Sequence, residues 1–448
     1  MVKVITYGTY DLLHYGHIKL LERAKALGDY LIVGVTADDF DKTRGKINVQ
    51  QTLMERIEGV RATGLADEII VEEYEGQKID DIKRYGVDIF TVGSDWKGKF
   101  DYLKAYCKVV YLERTQGVSS SELRSEKNEL KLGLVGDVVP VLDKILQETA
   151  YVNGIDVVGL CTQNKDSLSE GLSRLSFVTN DYSLLLKQVD AVYILSHPTQ
   201  HYAHIHQALC AGKHVLCESP LALKVDECKA LETLAKNKGI MLFEGIKTAY
   251  STAYNRMILL AKSGKIGDII SVDAVCTSLK SIDYGDLKTL GNIWNSVTSW
   301  GPTAMLPVFQ LLGIDYAQKQ IVSRIGNEHC QFDEFTKVSF VYPHSVASIK
   351  VGKGIKSEGE LIVSGTTGYI YVPAPWWKTE YFEIRREDMT QNKRYFYQLD
   401  GEGIRYELVS FVKSVQSGSD MSYVSPSVTE AIVDVLECYY NHEDVVKI

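Results

Sequence analysis

Residues 2–36, VKVITYGTYDLLHYGHIKLLERAKALGDYLIVGVT, decide how the first third of the chain is read. A β-branched run from Val2 to Tyr7 leads into a short polar turn, then an amphipathic stretch from Gly16 to Leu27, then a second apolar run from Tyr30 to Thr36. Strand, helix and strand at this spacing predict a parallel pair joined by a crossover helix. Further strands are expected at Glu68 to Val71, Ile89 to Val92 and Val109 to Leu112. The alternation breaks at Ser119 to Leu130, SSSELRSEKNEL, a polar stretch without a core-sized apolar face, which marks the end of one domain and a link to the next.

A second alternation starts at Leu130: strand LKLGLVG, a helix to Thr149, strands Ile155 to Cys161 and Ala191 to Leu195, and a helix from His201 to Ala211. This pattern predicts another doubly wound unit. Beyond Thr248 the strand-like runs Ile269 to Thr277, Thr336 to Tyr342, Ser345 to Val351 and Glu360 to Ser364 suit an open, largely antiparallel sheet, closed by a helix from Ser427 to Tyr440. The fold class is therefore α/β: a doubly wound N-terminal domain over 1–128, a second Rossmann domain over 129–247, and an α+β open-sheet domain over 248–448.

The 448 residues are 45% hydrophobic and 24% charged, enough to bury large cores in two or three domains. A net charge of -9 argues against a broad nucleic-acid surface and favours small anionic substrates held in a local basic pocket. No apolar run approaches the roughly 20 residues of a membrane helix, and MVKVITYGTYD lacks the layout of a signal peptide, which predicts a cytoplasmic protein. Eight cysteines without C-x-x-C spacing read as reduced, mostly buried thiols, so no metal ligands are assigned to them.

Directly after the first strand, GTYDLLHYGH places Gly8, Thr9, Tyr10, Asp11, His14, Gly16 and His17 in the strand-to-helix turn, where an open α/β sheet presents ligands. Two histidines three residues apart flank Gly16 as the helix opens, so both imidazoles can face a phosphate held beside free backbone N–H groups. The helix dipole contributes about 0.3–1 kcal/mol there, whereas one charge-assisted hydrogen bond contributes about 1.5–3 kcal/mol, so the histidines outweigh the dipole. They are read as donors to the α- and β-phosphates as charge accumulates during attack, with the nucleophile supplied by the substrate. For an isolated pair the plainer reading is one cap and one packed ring. Far downstream, however, VVYLERT runs into Arg114, Thr115, Gly117, Ser119 and Ser120, a hydroxyl-rich turn that offers donors to β- and γ-phosphates while Arg114 supplies charge. SSSE also matches a capping box, and the two roles are compatible.

GTYDLLHYGHIKLLERAKALGDYLIVGV, GSDWKGKFDYL and VVYLERTQGVSSS together resemble the glycerol-3-phosphate cytidylyltransferase family over almost all of residues 1–126. The resemblance implies a compact nucleotide-binding fold, a dimer or higher homo-oligomer, that takes CTP with Mg2+ and a small alcohol phosphate and yields a CDP-alcohol and pyrophosphate. It implies catalytic and triphosphate contacts at His14, His17, Arg114, Ser119 and Ser120, a phosphate-binding lysine at Lys46, and nucleotide contacts at Gly8, Thr9, Tyr10, Asp11, Gly16, Asp95, Thr115 and Gly117. By analogy with the family's usual pathway, the product would feed a cell-surface polymer such as a teichoic acid or capsule. Two departures stand out: the second arginine of the family's E-R-x-x-x-x-x-x-x-R pattern is Gly64, with Arg61 nearby, and the acidic residue before Asp95-Trp96 is Ser94. Glycerol 3-phosphate is thus the default acceptor.

In the second alternation the expected G-x-G-x-x-G/A turn reads Gly136-Asp137-Val138-Val139-Pro140-Val141, and only the first glycine survives. Val138 would push a Cβ toward a pyrophosphate and Asp137 would bring negative charge. Yet DAVYILSHPTQHYAHIHQALCAGKHVLCESPLAL resembles the Gfo/Idh/MocA oxidoreductase family, which implies NAD(P) binding and hydride transfer to or from a sugar or polyol carbon. Cofactor contacts are implied at Gly136, Asp137, Ser196, Pro198, His201, Glu218 and Pro220. The family's E-K-P motif is here Glu218-Ser219-Pro220, and its D-x-G-x-H segment aligns with Ser299-Trp300-Gly301-Pro302-Thr303, so a lysine, an acid and a histidine are lost together. Lys247 and Tyr250 are candidates to replace the missing acid. His197, His201, His204 and His206 read as a packed or solvated helix face, not as metal ligands.

Three hypotheses follow. The chain is a transferase whose oxidoreductase-like domain has an altered, degenerate site and serves as a scaffold. Alternatively it is bifunctional, with the second domain reducing a keto precursor to the alcohol phosphate that the first activates. A nucleotide-sensing protein without turnover is the third, and the intact H-x-G-H and R-T-x-G-x-S motifs argue against it.

Overall fold

Strand β1 (Lys3–Gly8) is central because its alternate residues are apolar on both sides: Val4 faces one core with Leu21 and Val60, and Ile5 faces the other with Phe90 and Leu103. The structure, a computed structural model, describes residues 1–11, 13, 15–37, 49, 51–74, 76–113, 129–279, 282, 284, 295–327, 332–397 and 399–448. Helix α1 (Tyr15–Lys25), β2 (Tyr30–Thr36), α2 (Leu53–Ala62), β3 (Glu68–Glu72), α3 (Gln77–Tyr85), β4 (Ile89–Gly93) and β5 (Lys108–Leu112) complete the first unit. Its sheet runs β3-β2-β1-β4-β5, every pair parallel. The strand order reverses between β1 and β4, and ligands of open α/β sheets bind at the carboxyl ends beside such a point.

The chain divides into two compact units, 1–129 and 130–448. The second begins with β6 (Leu130–Val135), α4 (Val139–Thr149), β7 (Ile155–Cys161), α5 (Glu170–Ser173), β8 (Phe177–Thr179), α6 (Tyr182–Leu186), β9 (Ala191–Ile194), α7 (Pro198–Cys210), β10 (His214–Glu218), α8 (Val225–Lys238), β11 (Leu242–Gly245) and α9 (Thr252–Lys262). These give a parallel six-stranded sheet, β11-β10-β9-β6-β7-β8, whose order reverses between β6 and β9. Then follow β12 (Ile269–Ser278), α10 (Ser296–Leu312), β13 (Gln318–Asn327), β14 (Phe332–Val341), β15 (Val346–Lys353), β16 (Leu361–Gly365), β17 (Gly368–Val372), β18 (Tyr381–Arg385), β19 (Lys393–Phe396), α11 (Ile404–Ser417), α12 (Pro426–Tyr440) and β20 (Val445–Lys447).

The nine-stranded sheet they form, β19-β18-β17-β16-β12-β15-β14-β13-β20, is mixed. The pairs β12/β15 and β13/β20 are parallel and the others antiparallel. Helix α11 returns to the Rossmann sheet, where Phe411 meets Phe243 of β11 edge to face at 5.4 Å. Among the described residues no helix is long and apolar enough to cross a membrane.

Candidate active site

In the first unit the turn after β1 is held from below by one buried side chain. Thr52 caps α2 in a reciprocal capping box with Glu55, which fixes the helix start and therefore the position of Arg56. The Arg56 guanidinium is fully buried and donates to the backbone carbonyls of Thr9 (2.7 Å), Thr36 (2.8 Å) and Gln51 (3.2 Å). It thereby ties the β1 turn to the end of β2. Asp11, also buried, accepts from the Gln51 N–H at 2.9 Å. Tyr10 adopts a left-handed backbone (φ 55°), uncommon for a bulky residue, and its buried ring lies edge-on to His17 at 5.6 Å. The sharp reversal delivers His17 onto the first turn of α1, one residue after Gly16.

Above this turn lies a cavity of about 80 Å³ lined by Gly8, Thr9, Thr36, Lys78, Trp96 and Phe100, among others. Its lining also includes Glu72, and this charged wall was not evident from sequence. Lys78 and Glu72 form an ion pair with both side chains less than 9% exposed, and Thr36 donates to Glu72 at 3.0 Å. The Lys78 ammonium also sits 4.6 Å from the Tyr7 ring centroid and 5.5 Å from that of Phe100. Tyr7 donates to Asp81 at 2.9 Å, and burial together with the Asp81 charge pushes its phenol well above the ordinary range. Such a pair is held by a dense polar network, as a buried charge must be.

Gly8, Thr9, Tyr10, Asp11, Gly16 and His17 are thus gathered at one turn, and Asp95 lies on a short 3-10 turn, Ser94–Trp96, directly after β4. His14, Lys46, Arg114, Thr115, Gly117, Ser119 and Ser120 lie outside the described residues, as does the polar link up to residue 128. Arg61 does not take over the place of the missing arginine: its exposed guanidinium pairs with Glu58 on the outer surface of α2. Gly64 has φ 65° just past that helix, and that left-handed geometry favours glycine over an arginine.

At the equivalent turn of the second unit, Gly136 is packed so tightly that a Cβ would stand 2.9 Å from the Leu195 carbonyl oxygen. Asp137 does not project into the turn as the sequence suggested. Its carboxylate accepts from Thr162 Oγ1 (2.8 Å) and the Gln163 N–H (2.7 Å), and so is spent on the end of β7. Val138 is 43% exposed; Pro140 has no N–H, and the Val141 N–H bonds to the Val138 carbonyl at 3.0 Å. Ser196, His201 and Pro220 converge on one imidazole: His201 Nδ1 lies 2.7 Å from the Pro220 carbonyl and Nε2 lies 2.8 Å from that of Ser196. Burial lowers the His201 pKa to about 4, and a neutral ring donates to one of the two at a time. Pro198 opens α7 behind His197, which caps the helix.

Ser219 donates to Glu244 at 2.6 Å, and Glu244 is further satisfied by Thr429 (2.6 Å) and the Leu221 N–H (3.3 Å). The residue in the place of the family lysine therefore faces inward. Tyr250 is buried with its hydroxyl 3.1 Å from Ser422 Oγ, which withdraws it from the role of acid. Lys247 lies 3.6 Å from Glu402, which Lys144 (2.6 Å) and Lys378 (2.8 Å) also reach; these three hold its pKa down to about 2. Lys353, nearly buried at the end of β15, donates to Ser299 at 2.7 Å.

A parallel sheet with a cavity at the β1/β4 switch and a histidine on the helix start that follows β1 fits the cytidylyltransferase-like class, and the model of that family matches residues 5–126. The chain is 48% identical over 135 residues to glycerol-3-phosphate cytidylyltransferase of Bacillus spizizenii, spanning 29% of this chain and 100% of that protein. Over that segment it belongs to the glycerol-3-phosphate cytidylyltransferase family. Residues 140–246 match the oxidoreductase family with an NAD-binding Rossmann fold. A trans-1,2-dihydrobenzene-1,2-diol dehydrogenase from Oryctolagus cuniculus is 24% identical over 320 residues, 68% of this chain and 94% of that protein. The structure of KijD10, a 3-ketoreductase from Actinomadura kijaniata in complex with NADP and TDP-benzene, matches with a TM-score of 0.63 at 18% identity, covering 72% of this chain and all of that one, a likeness of fold.

Proposed function

We propose that the first unit joins the CMP moiety of Mg–CTP to a small alcohol phosphate, with glycerol 3-phosphate the default, and releases pyrophosphate. An oxygen of the acceptor phosphate attacks the α-phosphorus, the bond to the β-phosphate bridging oxygen breaks, and pyrophosphate carries away the electron pair. His14 and His17 donate to the α- and β-phosphates, Lys46, Arg114, Ser119 and Ser120 hold the triphosphate tail, and Gly8, Thr9, Asp11 and Asp95 seat the nucleoside side. The observation that most supports this reading is the cavity at the Gly8-Thr9 turn, at the carboxyl ends of β1 and β4, lined also by the buried Lys78–Glu72 pair. Purified chain with CTP, Mg2+ and a panel of alcohol phosphates should release pyrophosphate; no release with any member would end the reading.

For the second unit we propose an oxidoreductase-like domain whose dinucleotide site is degenerate, with functional divisions at 1–128, 129–247 and 248–448. Support comes from the donors: a pyrophosphate needs several N–H groups at the helix start, and Pro140 and the engaged Val141 do not fit that need. The second reading, a reductase that makes the alcohol phosphate, draws on the packed Gly136 and on structural relatives solved with NADP. Titration with NADPH separates the two: weak or absent binding supports the first, tight binding with oxidation by a keto phosphate the second.

A further inference from the structure

Ahead of α11 three successive residues are left-handed: Gly401 (φ 58°), Glu402 (φ 55°) and Gly403 (φ 93°). Glycine takes this geometry freely, whereas a glutamate between two such glycines is held there by what its side chain reaches. The Glu402 carboxylate meets Lys144 of α4 at 2.6 Å and Lys378 of the Trp376–Lys378 turn at 2.8 Å, both on Oε1. Lys247, which opens the Lys247–Tyr250 turn, stands 3.6 Å from Oε2. The supports of this knuckle are stiff. A Cβ on Gly403 would lie 2.8 Å from the Lys247 carbonyl oxygen, and Thr248 Oγ1 donates to the Trp377 carbonyl at 3.1 Å, so the two lysine-bearing turns and the knuckle are packed on one another.

The charges of the cluster do not balance. Three ammonium groups meet one carboxylate, which leaves two positive charges over in a chain whose net charge is -9. Each lysine brings three donors to a group with two oxygens, and Lys247 at 3.6 Å is beyond hydrogen-bond reach. Other carboxyl groups do not close the gap. Glu148, which a Cβ on Gly401 would strike, is spent on Arg405. The Lys247 charge is also felt by Glu218 and by Glu407, the fully buried acid of α11, but burial pushes both toward the protonated form. The three lysines and Glu402 are between 33% and 38% exposed, so an ion from solvent can reach them. Lysines free of such a constraint would part into water to relieve their repulsion; here three fixed elements hold them together.

We infer that Lys144, Lys247 and Lys378 form a binding site for a multiply charged oxyanion of the phosphate or diphosphate class, which Glu402 occupies as an internal counterion. The incoming anion supplies the negative charge that one carboxylate lacks, and more acceptor oxygens for the lysine donors. Glu402 gives up its place to it, so occupancy of the site and the setting of the knuckle ahead of α11 are coupled. The site is separate from the turn after β6: none of its residues lies within 136–141, and Lys144 sits further along α4. It stands whether or not the first unit turns over CTP.

The test is acylation of lysines in the full chain by an N-hydroxysuccinimide ester, read residue by residue by mass spectrometry, so that phosphate sites of the first unit do not enter the reading. Inorganic phosphate and pyrophosphate are the probes, with sodium chloride at matched ionic strength as the control. At least one probe should slow acylation of Lys144, Lys247 and Lys378 together, by about threefold or more beyond chloride, and leave the exposed Lys229 as it was. Glu402→Gly removes the internal counterion and suits the left-handed backbone, so the fold is kept; the half-protecting concentration should fall by about tenfold or more. Lys144→Met should raise it by about tenfold or more for the two lysines that remain. Glu402→Gly should leave pyrophosphate release by the first unit unchanged, so failure of the transferase reading and failure of this site are told apart. Protection no greater than that of chloride in the unaltered chain, or a half-protecting concentration that neither Glu402→Gly nor Lys144→Met moves, overturns the inference.

Discussion

The turns after β1 and after β6 occupy the same place in two doubly wound sheets, yet they leave opposite inventories of groups. After β1, Arg56 takes up the carbonyls of Thr9 and Thr36 from beneath, so the upper side of the turn opens on a cavity with His17 on the adjoining helix start. After β6, Asp137 binds Thr162 and Gln163, Val141 binds back on Val138, and Pro140 contributes no donor. A doubly wound sheet supplies the location of a site; what is left over after the turn has satisfied its own polar groups supplies the chemistry.

The comparison is broken most forcefully at His17. His17→Ala should slow pyrophosphate release by about 10²–10³-fold with circular dichroism unchanged, as expected for loss of a transition-state donor; near-native turnover would remove the histidine from the chemistry. Next comes the support: Arg56→Leu leaves two buried carbonyls unpaired and should lower stability to denaturant by about 2–4 kcal/mol, with Arg56→Lys recovering only part because an ammonium lacks the fork. A third effect is on pH. Glu407 has a folded pKa of about 8, above the 4.5 of a free carboxyl, so the folded state holds the extra proton. The stability this contributes is full below about pH 4.5 and falls as pH rises toward 8, by roughly 2 kcal/mol or more, a slope that Glu407→Gln should flatten in chemical melts.

Smaller still, Val138→Gly with Pro140→Ala restores room and one N–H to the β6 turn and should tighten NADPH binding by about tenfold in a fluorescence titration. No gain would mean that the turn is not what limits the site. Least of all, Arg61→Ala removes an exposed pair with Glu58 and should change stability by less than about 0.5 kcal/mol and leave the acceptor KM as it was.

Much of this architecture is legible in the order of residues. Period-two and period-3.6 patterns mark both parallel sheets, and the expected strand Val2 to Tyr7 differs from β1 by one residue at each end. Less legible are groups whose burial contradicts their type. Lys78 and Asp81 carry charges that composition alone does not send to a core, but Gln77, Lys78, Asp81 and Ile82 are the buried residues of α3, because Glu72 pairs with Lys78 and Tyr7 with Asp81. Glu407 carried a faint signal: it falls in line with Ile404, Leu408 and Phe411 on the buried stripe of α11, where an acid is out of place. The parallel pairing of β12 with β15 joins segments more than 70 residues apart, and local pattern does not encode such a choice.

Arg56 also bears on how the first unit comes apart. Its anchor is the first turn of α2, set by the Thr52 and Glu55 cap, while its hydrogen bonds reach the β1 turn and the end of β2. Fraying of that one helical turn would release both loops together, so three segments distant in sequence behave as a single opening unit. Local melting of the helix start and loosening of the β1 turn are then one event, and whatever stiffens the turn stiffens the helix with it.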